Sequence, residues 1–359
     1  MSYLDPRAGQ SGDDTSVPAP YAYGAPGDPY ADYRQGAPGP AYAAPARHAD
    51  GPAPGTGPAP ADQPVPDPET RRRGPGRRRA GADGRPKRRA GRNLPAAIAV
   101  GVGLVLLVLS SLSFWPEAFL GVIAVAACVG VWEMTRALRV TGADPPLVPL
   151  LAGSLVMTGL AWYDGPDSLI IGLLVTVLAA VIWRVADGAA AFRRNFAASV
   201  LISVYVPFLL AFAVLVLLPD SGQGKWRVLC ILFAVVLSDT GGYAAGVLFG
   251  KHKMSPKISP GKTWEGFVGS VVAAALGSAA LLYFLLHIPV YWGLLFGAVL
   301  SVMAVFGDLA ESMLKRDLGL KDMSNLLPGH GGVMDRLDSI LFAVPTAYLL
   351  FAVIAAYQQ

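Results

Sequence analysis

Cysteine, histidine and charge are all scarce in this 359-residue chain. There are two cysteines and four histidines. Cys128 and Cys230 both fall inside apolar runs, which excludes a disulfide framework and a Cys/His metal site; both read as small buried side chains. Only 15% of the residues are charged, against about a quarter in soluble globular proteins, while 53% are hydrophobic and mean hydropathy is +0.46. No apolar core occurs within the first 30 residues, so a secretory signal peptide is not expected.

Aliphatic side chains are almost missing from residues 1 to 92, which hold 17 of the 30 prolines and 14 of the 29 lysines and arginines. Such a segment cannot bury enough apolar surface to offset its chain entropy, so it is expected to be a disordered tail. Between Arg71 and Arg92 there are eleven Lys or Arg and one acid, Asp83. Basic residues just before a first membrane span fix orientation and touch anionic lipid, each contributing about 1 kcal/mol near the surface. Membrane lipids, not nucleic acid, are the expected partner of this stretch. The tail's six tyrosines read as solvated linker residues.

What is abundant is apolar sequence from residue 93 onward. Nine stretches approach the ~20 residues a span requires. They begin near Leu94, Pro116, Leu147, Ser168, Phe196, Trp226, Gly266, Pro289 and Ser339. Turn-forming residues divide them: Trp115-Pro116, Asp144-Pro145-Pro146, Asp164-Gly165-Pro166-Asp167, Pro219-Asp220-Ser221-Gly222 and His287-Ile288-Pro289. The expected fold class is therefore all-α, a polytopic membrane bundle of about nine helices over residues 93–359. The second and eighth spans are the least distinct. With the basic tail in the cytoplasm, alternation puts Arg136, Arg139, Arg184, Arg193, Arg194, Lys251, Lys253, Lys257, Lys262, Lys315, Arg316 and Lys321 on the same side. That agrees with the positive-inside rule. It makes the chain a multi-pass cell-membrane protein whose N-terminus and two long polar loops, 250–265 and 307–338, face the cytoplasm, where nucleotides are available.

The chemistry-bearing residues lie in and beside those loops. Asp239, in the sixth span, costs about 2.5 to 3.5 kcal/mol on insertion scales and should face the bundle interior. Gly261-Lys262-Thr263 echoes the end of a P-loop, but the position five residues before Gly261 is Pro256 rather than glycine and no strand is expected ahead of it, so a soluble-type NTPase is rejected. Lys257 and Lys262 supply charge and Ser259 and Thr263 hydroxyls; with Gly261 and the free N–H groups of a helix start they suit a phosphate. A plain positive-inside loop is the bland alternative. The second loop is denser still: Asp308, Glu311, Ser312, Lys315, Arg316, Lys321, Asp322, His330, Asp335, Arg336 and Asp338. Asp335 and Asp338, three apart, share a helix face. Clustered carboxylates without cysteine select a hard cation, Mg²⁺ above all, shared with substrate phosphates. His330 reads as a structural hydrogen bonder, with a proton shuttle or a phosphate contact as the alternative.

The run Ser312, Leu314-Lys315-Arg316, Lys321-Asp322, Ser324, Leu327-Pro328, His330-Gly331-Gly332 and Asp335-Arg336-Leu337-Asp338 resembles the signature of phosphatidate cytidylyltransferases (CDP-diacylglycerol synthases). The stretch from Ser238-Asp239-Thr240 to Ser259-Pro260-Gly261-Lys262-Thr263-Trp264-Glu265-Gly266 is similar to the same family. The likeness is dense from Cys230 to the C-terminus, rests on hydrophobicity alone between 94 and 230, and does not reach the tail. The resemblance implies a divalent-metal-dependent membrane enzyme, with Mg²⁺ and a K⁺ in its metal centre, that converts CTP and phosphatidate to CDP-diacylglycerol and pyrophosphate. By motif position it makes Asp308 and Asp335 the metal ligands, with Asp338, Asp239 and Asp322 as weaker candidates.

Phosphatidate is already an anionic nucleophile, so placing cations and aligning the reactants should dominate catalysis. Lys315, Arg316, Lys321 and Arg336 would neutralise phosphate charge, and Lys257, Ser259, Gly261, Lys262 and Thr263 would cradle a substrate, together with Asp239, Asp322 and His330. Rival readings are a CTP-dependent transferase acting on another lipid, a polyprenyl-phosphate sugar-phosphate transferase, and a transporter using Asp239. Acyl-chain preference and homodimer formation stay open at this point.

Overall fold

Inside a bilayer every backbone N–H and C=O must find a partner within the protein, which leaves helices as the solution for apolar runs of this length. The computed structural model describes residues 94–218 and 222–358, and the expected tail and Pro219-Asp220-Ser221 lie outside the described residues. The helices are α1 (Leu94–Phe114), α2 (Pro116–Leu138), α3 (Leu147–Tyr163), α4 (Pro166–Arg184), α5 (Ala189–Ser203), α6 (Leu209–Leu217), α7 (Gly224–Phe249), α8 (Trp264–Leu286), α9 (Val290–Asp317) and α10 (Met334–Gln358). A π-helical turn, Val204–Phe208, joins α5 to α6 in one segment, Ala189–Leu217. Pro207 sits in that turn and has no N–H to give the preceding turn.

Seven helical segments among the described residues are long and apolar enough to cross a membrane, and two shorter ones, Ile98–Phe114 and Leu147–Tyr163, complete the nine expected. The turn residues act as the sequence suggests. Pro116 and Pro166 open α2 and α4 at the position where a missing N–H is harmless. His287 closes α8 in a left-handed conformation, and Pro289 caps α9. The second and eighth spans are separate helices. Two boundaries move: the fifth span starts at Ala189, before Phe196, and the last at Met334, before Ser339.

The outer faces identify the solvent. Along α8, Val268, Val272 and Leu276 are 58%, 50% and 61% exposed at four-residue spacing, and α4 presents Ile170, Ile171, Leu174, Leu178 and Ile182 in the same way. Monomeric soluble proteins do not show apolar stripes of this extent. The chain is a multi-pass membrane protein.

Lipid is as apolar as leucine, so helix association here rests on close packing and polar contacts. The most extensive packing runs from α7 to α8 to α9 to α10, and α6 closes against α10. The hydroxyls of Ser238 on α7 and Ser301 on α9 lie 2.8 Å apart in a fully buried contact. At one end of the bundle, Asp144 pairs with Arg139 (3.2 Å) and Arg184, while the Asn195 side chain accepts from the Asp144 N–H and donates to Asp187. This network ties the ends of α2 and α4 to the middle of α5.

The loop between α7 and α8 differs from the sequence reading. It is an antiparallel hairpin of β1 (Lys253–Ser255) and β2 (Ser259–Thr263), so a strand does precede Gly261. Gly261-Lys262-Thr263 lie within β2 itself, not in a phosphate-wrapping turn, and the P-loop stays excluded.

Candidate active site

The two polar loops meet where α7 ends, α8 begins, α9 ends and α10 begins. Lys262 on β2 reaches across to α9, its ammonium 2.6 Å from Asp308 Oδ2 and 3.4 Å from the Val305 carbonyl. One turn further on, the Ser312 hydroxyl donates to Asp308 Oδ1 at 3.2 Å. Lys315 lies another turn along the same helix. Its ammonium is 2.8 Å from Asp335 Oδ1 on α10 and 3.2 Å from Glu311 Oε1. The second oxygen of Asp335 accepts the N–H groups of Met323 (2.9 Å) and Gly332 (2.8 Å). Two lysines on separate elements thus each hold one of the two expected metal ligands.

Asp338 Oδ1 accepts the Ser339 N–H at 2.6 Å. Gly307, immediately before Asp308, lets α9 approach α10 so closely that a Cβ there would meet the Asp338 carbonyl and the Phe342 ring. Asp239 lies within electrostatic reach of Asp308, Lys262 and Arg336, and Asp338 within reach of Asp308, Asp239 and Lys315. Three carboxyl groups, Asp308, Glu311 and Asp335, are thus paired with two lysines, Lys262 and Lys315. Glu311 is fully buried; its Oε1 meets the Lys315 ammonium at 3.2 Å, and its Oε2 has no partner. The Tyr205 hydroxyl, carried by the π turn beside the same acids, is also buried without a partner.

Among the described residues no three acidic, histidine or cysteine side chains are grouped so as to hold a metal ion. The chemistry of the donors is that of a hard cation rather than a soft one. The side chains are all oxygen donors, and Glu311 Oε2 retains unfilled acceptor capacity.

The sequence profile of the cytidylyltransferase family matches residues 95–354. The chain belongs to the cytidylyltransferase family. Among its relatives are proteins named phosphatidate cytidylyltransferase. One from Mycobacterium bovis is 40% identical over 279 residues, covering 74% of this chain and 90% of the relative. One from Mycobacterium leprae is 39% identical over 282 residues, with 74% and 90% covered. A third, from Haemophilus influenzae, is 41% identical over 141 residues, covering 38% of this chain and 49% of the relative.

For a cytidylyltransferase, the structure sorts the expected site residues into two groups. Asp239, Lys262, Asp308, Lys315, Asp335, Arg336 and Asp338 come together. The others lie around them in different roles. Thr263 is buried, and its hydroxyl accepts the Gly266 N–H as the cap of α8, which takes up one of the N–H groups a phosphate would use. Arg316 donates from Nε to the Ile258 carbonyl at 3.3 Å and braces the hairpin. Ser259 and Gly261 lie on β2, and Lys257 is exposed in the turn before it. Lys321 and Asp322 are exposed, with Asp322 beside Gly331. The His330 ring lies against Gly101 of α1, with a buried and unpartnered Nδ1. None of these contacts places His330 beside the acidic cluster.

Sequence reasoning missed Glu133 on α2. It is fully buried and accepts hydrogen bonds from Ser324 Oγ (2.6 Å), Val333 N (3.0 Å) and Met334 N (2.7 Å). A signal existed. Glu133 is an acid in an apolar span, the feature that singles out Asp239. Tyr205 carried no such signal, because an interior tyrosine looks like ordinary packing.

Proposed function

We propose that this chain transfers the CMP unit of CTP to phosphatidate, giving CDP-diacylglycerol and pyrophosphate. The observation that carries the reading is the meeting of two lysine–carboxylate pairs, Lys262 with Asp308 and Lys315 with Asp335, at one end of a membrane bundle of this family. The relatives' name, phosphatidate cytidylyltransferase, supports the substrate pair.

A phosphatidate phosphate oxygen forms a bond to the α-phosphorus of CTP. The bond between the α-phosphorus and the bridging oxygen breaks, and pyrophosphate departs with the electron pair. The nucleophile is anionic at neutral pH, so no general base is needed. A divalent cation, Mg²⁺ in this reading with K⁺ as a companion, supplies positive charge to the CTP phosphates and the leaving group when bound. Asp308 and Asp335 would hold it. Asp335 Oδ2 is committed to two backbone N–H groups, so Oδ1 is the oxygen available, in exchange for Lys315. Lys315 and Lys262, partly buried, each present an ammonium on a flexible four-carbon stem that can turn from carboxylate to phosphate. Arg336 is exposed at the rim and meets the remaining phosphate charge.

The cell membrane is the location, with the site on the cytoplasmic side, which the basic residues at that end support. Catalysis belongs to residues 93–359. Purified protein given CTP and phosphatidate should release pyrophosphate and form CDP-diacylglycerol in proportion to added Mg²⁺. Failure to release pyrophosphate, or a preference for a polyprenol or ether lipid in competition, would remove the assignment. A Lys257→Cys variant should react with an impermeant thiol reagent only from the cytosolic side.

A further inference from the structure

We infer that Glu133 is a positioning residue for the reaction, holding the start of α10 and the loop before it so that Asp335 and Asp338 face α9. The inference rests on the proposed function, because it assigns Glu133 a part in that same site.

Glu133 comes from α2, a helix that supplies none of the clustered charges. Its carboxyl group is fully buried, and all three of its partners are donors. Oε1 takes the Ser324 hydroxyl and the Val333 N–H; Oε2 takes the Met334 N–H. Val333 and Met334 are the residues at which α10 begins. A helix start leaves N–H groups unpaired and carries a partial positive charge, so an acidic side chain is well placed there. Caps usually come from the neighbouring sequence. This one comes from about 200 residues away, and it therefore fixes α10 to another helix as well as satisfying it.

The residues Glu133 holds are interleaved with those that hold Asp335. Asp335 accepts from Met323 and Gly332, while Glu133 accepts from Ser324 and Val333, the next residue in each case. Each strand of the 323–333 loop thus gives one group to Glu133 and one to Asp335. A shift of Glu133 moves both anchors of Asp335 together. Gly332 seals the arrangement, since a Cβ there would stand 2.7 Å from both Glu133 oxygens. The start of α10 is consequently filled by the protein's own carboxyl group and is not a site for substrate phosphate.

Glu133→Gln keeps the shape but turns one acceptor into a donor that faces a donor. Misplacing a reacting group by about 1 Å lowers rates about 100-fold. The expected result is a kcat lower by about 10- to 100-fold, KM for CTP and for phosphatidate within about threefold of wild type, and a several-fold higher Mg²⁺ concentration at half-maximal rate. Ser324→Ala removes one donor, is the milder change, and should shift the same two quantities in the same direction by less. Should Glu133→Gln fail to accumulate, Ser324→Ala decides the matter. Variants that lower only the yield or thermal midpoint, with kcat per folded enzyme and the Mg²⁺ midpoint unchanged, would reduce Glu133 to a structural strut and overturn the inference. Wild-type protein assayed alongside separates the two claims. If it does not turn over CTP with phosphatidate, the proposed function fails and takes the inference with it. If it does and the variants match it, only the inference fails.

Discussion

The Lys315 ammonium lies 2.8 Å from Asp335 and 3.2 Å from Glu311, joining two carboxyl groups on neighbouring helices through one cation. The lysine side chain is 14% exposed, and those of Asp335 and Glu311 are 5% and 0%. Buried charges so arranged depend on one another, because removing one strands the rest without solvent.

Lys315→Met should therefore abolish most turnover and also lower stability, by about 3 kcal/mol on the scale of broken buried pairs. The double variant Lys315→Met/Asp335→Asn should recover part of that stability but none of the activity. Thermal unfolding in detergent of both singles and the double gives the coupling. Strict additivity would mean the pair is not energetically linked.

Asp335→Asn alone should lower turnover by about 100- to 1000-fold while the protein still inserts in the membrane. Its two backbone donors can still find the amide oxygen, so the loop should survive better than in Lys315→Met. Near-normal turnover at low Mg²⁺ would show that Asp335 is not a metal ligand.

Gly307→Ala should separate α9 from α10 beside Asp308 and Asp338, because the new methyl group meets backbone rather than a flexible side chain. Overpacking of this kind is destabilising by about 1 to 3 kcal/mol, and turnover should fall as well. Gly121→Ala on α2, where a Cβ meets nothing within 4 Å, is the matched control and should be neutral or slightly stabilising. Equal behaviour of the two variants would show that the α9–α10 approach does not set the site.

Removal of residues 1 to 70 should leave the specific activity of the purified enzyme unchanged and retain the basic stretch from Arg71 to Arg92. A collapse in specific activity would show that the tail takes part in catalysis.

Much of the site could be read from the chain because charge is expensive beside hydrocarbon. Asp239, Asp308, Asp335 and Asp338 stand out in apolar surroundings, and the structure pairs Asp308 and Asp335 with lysines, with Asp338 beside Gly307 on the facing helix. Thr263 and Arg316 carried the same residue chemistry as a phosphate cradle, yet one caps α8 and the other braces the hairpin. Residue type near a site does not distinguish binding from scaffolding, because hydroxyls and guanidinium groups serve backbone and substrate alike. Which acids would share a lysine was equally hidden. Asp335 and Lys315 are twenty residues apart, and Glu133 and Met334 about two hundred.

The sequence alone determined that this is a helical membrane bundle with two charged loops, since hydropathy along the chain is a local property and a run of about twenty apolar residues has one stable form in lipid. Tertiary structure alone decided the partners: Lys262 with Asp308, Lys315 with Asp335, Glu133 with the start of α10. Those pairings depend on how helices cross. With almost every face of each helix apolar, the sequence carries little record of which face meets which neighbour.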